Sequence, residues 1–408
     1  MKSPKPVDKI VAATPPPALE LRDWSQLPDL VTSDVLSRLV PCLRSLSAFA
    51  ATCRPWRRFF IASASTILPR IPPLILQAQN FSSCRLLGFS RLVIGDPIPV
   101  PLPAFRGTLL SATRGYLILL VELRGARRGT LVVTDALTGV ERLAMPLPRG
   151  ERHWYGYYRY ASVTPTHLLL FDNRHHEFAA VRFPTKHPDQ EWTQHPLPRG
   201  AGSVSSVVDF HGRVLGVTDQ AELLEFRVRI IHPRDQYEAV QLLPTTGLPD
   251  GAAFERSEFG PRLVVAGERL LLLLLLMTDP VGRGGGVSTL RVEVKKVSVH
   301  ALDMAAMRWE ELDDIGEYSL FVDCPGRTAV ACTGTAGCGV VANRVYFLVS
   351  KPYYCCDHRQ PPFLAFPPGS DGVPSGWGSP WHKLIEVDDD REWPPSQTWV
   401  YPRLFYRS

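Results

Sequence analysis

The stretch VVAGERLLLLLLLM, residues 264–277, contains seven consecutive leucines. A helix that crosses a membrane needs about 20 apolar residues, but the apolar run from Leu270 to Met277 has only eight. A run of this length is typical of a β-strand that is buried on both faces. Leucine is not a strong strand former, so a buried helical turn stays an alternative for this segment taken alone.

Comparison with the rest of the chain favours the strand. The pattern of an apolar strand, a tight turn and a second apolar strand occurs again in three segments, SATRGYLILL (111–120), VVDFHGRVLGV (207–217) and VVANRVYFLV (340–349). A looser copy is SVTPTHLLLF, residues 162–171. The three closer copies place Gly or Asn at the turn, and both residues tolerate the positive φ angles of hairpin turns. We therefore predict a series of β-hairpins.

The hairpins belong to a longer repeat. The sequence PLPRG ends two successive units, at 146–150 and at 196–200. Four-stranded units that recur about every 40–50 residues are typical of β-propeller blades. We predict a mainly β protein in which residues 80–408 form a propeller with six or seven blades. A pair of β-sandwich domains is the alternative fold.

The N-terminal part of the chain has a helical pattern. Residues 1–20 are predicted to form a disordered leader, and residues 21–65 a helical domain. A first helix, with Ser33 as its N-cap, is expected to end near Leu39 because of Pro41. Apolar residues at helical spacing predict a second helix (Leu46, Phe49, Ala50, Cys53) and a third that starts at Pro55 (Trp56, Phe59, Phe60). Three helices of this size carry more apolar surface than they can bury among themselves. That surface must pack against the propeller or bind a partner.

The helical segment resembles an F-box. Its Leu27-Pro28 pair and its closing Cys53-Arg54-x-Trp56-Arg57 stand in the order and at the separation typical of that motif. Thr52 departs from it, because many F-boxes have valine at this position. The remainder resembles plant F-box proteins with a C-terminal KIB-type β-propeller. The segments that carry this second resemblance are VSVHALDMAAMRWEELDDIGEYSLFVD (297–323), ANRVYFL (342–348) and WVYPRLF (399–405).

The resemblance implies a substrate-recognition subunit of an SCF-type cullin–RING ubiquitin ligase. The F-box would bind a Skp-type adaptor, and through it a cullin, while the propeller would bind a target protein. Apolar anchors at helical spacing suit such helix-in-groove recognition. The side chains predicted to contact the adaptor or to position the helices are Leu27, Pro28, Leu30, Val35, Leu36, Leu39, Leu46, Phe49 and Trp56. No signal peptide is recognised, which favours the cytoplasm or the nucleus.

Charge and motifs argue against other function classes. Residues 1–80 hold ten Lys/Arg and five Asp/Glu, which accounts for the whole net charge of +5. A propeller whose positive and negative charges balance argues against nucleic acid as the partner, and neither a membrane nor a cofactor is expected.

Hydrolase, metalloprotease and phosphate-loop motifs are absent from the sequence, so no enzyme activity is expected. The segments between Cys324, Cys332 and Cys338 do not have zinc-site lengths. The alternative function is a binding propeller with no role in ubiquitination, its helices serving only as a structural cap.

Overall fold

The computed structural model describes most of the helical segment and most of the β-strands. The described residues are 24–40, 43–67, 70–80, 83–87, 89–90, 93–94, 98–100, 107–122, 129–136, 138–148, 157–184, 191–228, 239–249, 260–277, 294–323, 328–333, 340–348, 363–366 and 397–400. The predicted leader, residues 1–20, lies outside them.

Three α-helices follow a short 3-10 turn, Trp24–Gln26. They are α1 (Asp29–Leu39), α2 (Leu43–Thr52) and α3 (Arg54–Ile67). The predicted end of the first helix near Leu39 is confirmed. The predicted N-cap is wrong, because Ser33 lies inside α1 and Pro28 occupies the cap position. The backbone N–H of Thr32 donates to the Pro28 carbonyl at 3.0 Å, so α1 starts without a side-chain cap.

The helices share a core of their own. Leu46 of α2 and Phe60 of α3 are almost fully buried, together with Leu36 of α1. Ile71, just after α3, joins the same cluster. Every member of this cluster falls between residues 35 and 71, so the described helices form a unit whose core contains no strand residue.

Twenty-six β-strands follow the helices in the described residues. The first nine are β1 (Leu74–Asn80), β2 (Ser83–Leu87), β3 (Phe89–Ser90), β4 (Val93–Ile94), β5 (Ile98–Val100), β6 (Gly107–Thr113), β7 (Tyr116–Glu122), β8 (Gly129–Asp135) and β9 (Glu141–Pro146). The next eight are β10 (Tyr158–Val163), β11 (His167–Asp172), β12 (Glu177–Arg182), β13 (Thr193–Pro196), β14 (Val204–Phe210), β15 (Arg213–Thr218), β16 (Leu223–Phe226) and β17 (Val240–Leu243). The last nine are β18 (Arg262–Ala266), β19 (Arg269–Met277), β20 (Val294–Asp303), β21 (Arg308–Leu312), β22 (Tyr318–Asp323), β23 (Ala329–Thr333), β24 (Arg344–Leu348), β25 (Phe363–Phe366) and β26 (Gln397–Val400).

Five four-stranded blades are built from contiguous chain, β6–β9, β10–β13, β14–β17, β18–β21 and β22–β25. Five is fewer than the six or seven blades that the sequence predicted. A further four-stranded sheet pairs the last described strand with the first strands after the helices, in the order β26-β1-β2-β5. The long stretches of sequence between β16 and β17 and between β19 and β20 each fall within a single blade, so they add length to the chain without adding a blade.

The leucine run is the second strand of the fourth blade. Leu270, Leu272 and Leu274 of β19 pack with Leu215 and Val217 of the third blade. The alternate leucines of the run contact the fifth blade through a second apolar cluster (Leu271, Leu273, Leu320, Val322, Val345). Successive side chains of a strand point to opposite faces, so burial between two neighbouring blades requires an unbroken apolar sequence. None of the described helices is both long enough and apolar enough to cross a membrane.

The predicted hairpin occurs in the leucine segment itself, between β18 and β19, and in two of its three closer copies. The turn between β6 and β7 has positive φ at both central residues, 49° at Arg114 and 78° at Gly115. His211 and Gly212 repeat this geometry, at 50° and 75°, between β14 and β15. Two positive φ angles are the requirement of a type I′ turn, which matches the twist of the strands. The looser copy also forms its hairpin, between β10 and β11.

The third closer copy, residues 340–349, is not a hairpin. Val340 and Val341 are not in a strand, and β24 instead pairs in parallel with β22. Asn343 has the positive φ expected of a turn residue, 56°, but its side-chain oxygen accepts from the N–H of Ile315 at 3.1 Å. Residues 353–383 match none of the repeats in the sequence; β25 lies inside this segment and pairs with β24.

Candidate docking surfaces

Exposed apolar side chains are concentrated on the helical segment. Of the seven exposed large apolar side chains in the described residues, four lie between residues 24 and 61: Trp24, Leu30, Val31 and Ile61. Leu30 of α1 is the most exposed, at 83%. Contiguous exposed apolar groups mark surfaces that bind another molecule, and Leu30 and Val31 are adjacent in α1. We name these four residues the apolar face.

The nine residues predicted to serve adaptor binding divide into two groups. Leu36, Leu46 and Phe49 lie in the core of the helical unit, with Val35, Leu39 and Trp56 half-buried against it. In this conformation their role is to hold the helices in place. Leu27 is half-buried, and Pro28 and Leu30 are exposed. The sequence-based set omitted Val31 and Ile61, because the heptad-like spacing marks the core of an amphipathic helix rather than its solvated side.

Trp56 fixes the third helix against the other two. Its ring stacks on Phe49 with the centroids 4.7 Å apart, and its indole N–H donates to the Trp24 carbonyl at 3.0 Å. Next to it, the Arg57 Nε donates to the Ala50 carbonyl at 3.1 Å. These contacts join α3 to both α2 and the chain before α1, so the orientation of the apolar face depends on them.

The helical segment is also basic. Residues 24–67 contain five arginines and two aspartates. Arg54, Arg57 and Arg58 are exposed within the first five residues of α3, whose first turn has no acidic side chain. The N-terminus of a helix favours negative charge, so this placement opposes the helix dipole. A partner with acidic groups beside α3 would offset that unfavourable term.

A second surface lies at one end of the second blade. The turn between β11 and β12 carries Arg174, His175 and His176, and the segment after β13 carries Arg199. Arg174, His176 and Arg199 are exposed. The N–H of Leu197 donates to the His176 carbonyl at 2.9 Å, which holds the two segments side by side. We name Tyr157, Arg174, His175, His176 and Arg199 the basic tip.

Buried acceptors keep the basic tip in one arrangement. The buried Asp172 carboxylate accepts from the backbone N–H groups of Arg174 and His175 at 3.0 and 3.1 Å, and its other oxygen lies 2.9 Å from Nδ1 of His175. The Arg174 guanidinium lies 4.6 Å from the centre of the Tyr157 ring and donates to the Tyr157 hydroxyl. These contacts hold the turn backbone and the side chains of Arg174 and His175 in one arrangement.

An acidic pair borders the basic tip on the third blade. Asp219 accepts from the Ser203 N–H at 2.9 Å, and Glu222 accepts from the Gly202 N–H at 2.8 Å. Burial is the main cause that raises the pKa of the Asp219 carboxyl above its usual value, and the neighbouring Glu222 acts in the same direction. Two carboxyl groups thus lie where the segment after Arg199 enters the third blade.

The remaining sequence features describe the fold rather than a reaction. His175 and His176 lie in the turn between β11 and β12. Tyr158 and Tyr160, in the aromatic segment HWYGYYRY, are buried in β10. Burial raises the pKa of Tyr160, whose hydroxyl accepts from the Val207 N–H at 2.9 Å and so connects the second and third blades.

No group of three or more His, Cys, Asp or Glu in the part of the chain that the structure describes could hold a metal ion. GRGGG (282–286) and the run Asp388–Asp390 lie outside the described residues.

Three solved structures show a distant likeness to the chain. One is a streptogramin B lyase, 12% identical, with a TM-score of 0.32; the match covers 58% of this chain and 66% of that one. Another is apo AztD from Citrobacter koseri, 13% identical, with a TM-score of 0.29 and coverages of 65% and 62%. The chain thus spans less than two thirds of the length of either protein. A functionally unknown protein from Desulfotomaculum acetoxidans is 10% identical, with a TM-score of 0.37 and coverages of 81% and 89%.

A comparison with curated proteins finds no match. The KIB1-4 beta-propeller family model, in contrast, matches residues 92–373, which is more than half of the chain. The matched region begins after β3 and contains all five contiguous blades, from β6 to β25. The family match and the sheet topology both indicate a β-propeller. The chain belongs to the KIB1-4 beta-propeller family.

Proposed function

We propose that residues 24–67 act as an F-box that binds a Skp-type adaptor, and that the propeller recruits a target protein to the resulting cullin–RING ubiquitin ligase. The observation that carries this proposal is the apolar face. Exposure of Leu30 and Val31 to water does not stabilise the isolated chain. A partner helix or groove that covers these side chains stabilises the complex.

The independence of the helical core supports the same function. A cap that served only to cover the propeller would bury its apolar residues against the strands. Here the buried members of the helical cluster contact one another and Ile71, and the described propeller clusters contain none of them. A self-sufficient helical unit can dock to a partner without disturbing the blades.

The arginines of α3 suggest the electrostatic character of the partner. An acidic adaptor surface beside Arg54, Arg57 and Arg58 would offset their unfavourable position at the helix N-terminus. Complementary charge at the rim of an interface mainly speeds association and sets specificity, while apolar anchors contribute most of the affinity. We therefore assign affinity to the apolar face and steering to the three arginines.

In this proposal the chain contributes no catalytic residue. Ubiquitin transfer would be accelerated because the propeller holds a target close to a charged enzyme carried by the cullin, a proximity effect. The complex would act in the cytoplasm or the nucleus.

The test is adaptor binding by the purified full-length chain and by a Leu30→Asp variant. Loss of an interface anchor costs about 2 kcal/mol or more, which corresponds to a roughly 30-fold rise in Kd. Because Leu30 is outside the helical core, the variant is expected to stay folded. Leu242→Asp is the matched control, since Leu242 is an exposed leucine on the outer strand of the third blade. We expect Leu242→Asp to bind as tightly as the wild type, measured by titration calorimetry.

Equal affinity of Leu30→Asp and wild type would show that α1 does not contact the adaptor. No binding by the folded wild type would reject the ubiquitin-ligase function and favour a binding propeller with a helical cap.

A further inference from the structure

A short buried joint connects the helical unit to the sheet β26-β1-β2-β5, which we name the closing sheet. Strand β1 begins at Leu74, which is buried in an apolar cluster with residues of the first blade. Ile71, three residues earlier, belongs to the core of the helical unit. Pro72 and Pro73, which lie between them, are both buried. Because proline fixes its own φ angle, the chain between the two cores has little freedom to bend.

On its sheet side the joint is held by β26, a strand from the other end of the described chain. Leu74 pairs with Val400, and Leu76 pairs with Thr398. Val400 also packs in the same apolar cluster as Leu74 and Leu76. The strand is only four residues long, and it lies against β22 and β24 of the fifth blade and β6 of the first. The position of β1 therefore depends on a strand that is distant in the sequence.

A buried group of polar side chains holds β26 in place. The Thr398 hydroxyl donates to Oδ2 of Asp323 in the fifth blade at 2.6 Å, and Oδ1 of Asp323 accepts from the Thr328 N–H at 2.9 Å. The Thr328 hydroxyl donates to the Ala112 carbonyl of the first blade at 3.2 Å and lies 3.3 Å from the Thr398 hydroxyl. Asp323, Thr328 and Thr398 are all buried. The fifth blade, β26 and the first blade are thus joined at one point.

We propose that β26 is a latch that fixes the helical unit on the propeller, and that the Thr398–Asp323 bond keeps this latch closed. Units of one chain usually move relative to each other unless the connection between them is extensive and apolar. Release of β26 removes one of the two strands that pair with β1 and uncovers Leu74 and Leu76, so the joint is freed. A closed latch holds the apolar face at a constant distance from the propeller, as a ligase that acts by proximity requires. That consequence rests on the proposed function, whereas the latch itself does not.

The experiment compares Thr398→Val and Thr398→Ser in the full-length chain. Valine removes the hydroxyl at nearly constant volume, and serine retains it. Thr113→Val is the matched control, because the Thr113 hydroxyl accepts from the Val163 N–H at 3.0 Å and so makes a contact of similar kind between the first and second blades. The first readout is amide hydrogen exchange of every strand. The second is the rate of trypsin cleavage after Arg70, an exposed residue next to the joint.

We expect Thr398→Val to raise exchange in β1, β2 and β26 about tenfold or more, because loss of a hydrogen bond to a buried carboxyl group favours local opening. Cleavage after Arg70 should accelerate by a similar factor, since it requires the same opening. Thr398→Ser and Thr113→Val should stay within about twofold of the wild type at both places.

Exchange of β1 in Thr398→Val equal to that of the wild type would overturn the latch, as would an increase spread evenly over the five blades. Faster exchange of β1 without faster cleavage after Arg70 would show that the joint does not depend on β26. If Thr398→Val does not fold, as judged by circular dichroism, Thr328→Val replaces it, with an expected rise of about threefold in β1. Adaptor binding by Thr398→Val should be unchanged, because the apolar face is intact, so a failure of the latch is distinguished from a failure of the proposed function.

Discussion

Replacing Leu272 with aspartate is expected to abolish cooperative folding of the propeller. Leu272 is fully buried in β19, where it packs with Leu215 and Val217 across the interface to the third blade. Removal of such a side chain costs about 2–5 kcal/mol, and an unpaired buried carboxylate adds several kcal/mol more. The total is similar to the whole stability of a typical domain, about 5–15 kcal/mol.

Urea unfolding followed by tryptophan fluorescence provides the measurement, because Trp309 belongs to the same apolar cluster. The control is again Leu242→Asp, whose side chain is exposed. We expect wild type and control to unfold in similar transitions and Leu272→Asp to show none. A midpoint for Leu272→Asp close to that of the wild type would mean that β19 is not buried between two blades.

Replacing Leu46 with alanine is expected to unfold the helical segment and leave the propeller intact. Leu46 is fully buried at the centre of the helical cluster. A cavity of this kind costs about 2–5 kcal/mol, and a unit of fewer than 50 residues has little stability in reserve. The helices should therefore be largely unfolded at 25 °C, and adaptor binding should be lost with them.

Circular dichroism at 222 nm reports the helices, and the urea transition reports the blades. Leu30→Ala is the control, because it removes the same atoms from an exposed position. We expect a loss of most of the helical signal only in Leu46→Ala, with an unchanged urea midpoint for the blades in both variants. A shift of that midpoint in Leu46→Ala would indicate that helices and propeller fold as one unit.

The sequence predicted local structure best at positions where the residue type strongly restricts the backbone conformation or the burial. Glycine after Arg114 and His211 predicted two hairpin turns with positive φ, because glycine adopts such angles without strain. The leucine run predicted a strand buried on both faces, and the packing of Leu271 and Leu272 on opposite neighbours confirms it. Asn343 shows the limit of this reasoning. It has the expected positive φ, but whether the following strand pairs with Val340–Val341 or with β22 is decided by contacts distant in sequence.

Helical spacing identified mainly the residues that the helices bury among themselves, rather than those that they expose. The residues that recur at three and four positions, such as Leu36 and Phe49, are those that the helices bury among themselves. Val31 and Ile61 interrupt that spacing and lie on the exposed side. Val31 and Ile61 could have been identified from the sequence as apolar residues that lie outside the buried face of their amphipathic helices.

The basic tip was hidden for a different reason. Arg174 and Arg199 are 25 positions apart in the sequence, and the pairing of β12 with β13 brings their two segments to the same end of the second blade. Arg199 belongs to the repeated PLPRG sequence, which by itself marks only the end of a structural unit. The pairing register of β12 and β13 creates this surface, and the local amino-acid composition does not reveal it.

Amide hydrogen exchange of the full-length chain, with and without saturating Skp-type adaptor, tests the central claim most directly. Amides in a docked helix exchange more slowly because local opening must first break the interface. We predict that adaptor slows exchange in α1 and in the first half of α3, by about tenfold or more, and leaves the five blades unchanged. Unchanged exchange throughout residues 24–67, or protection confined to the blades, would contradict the account.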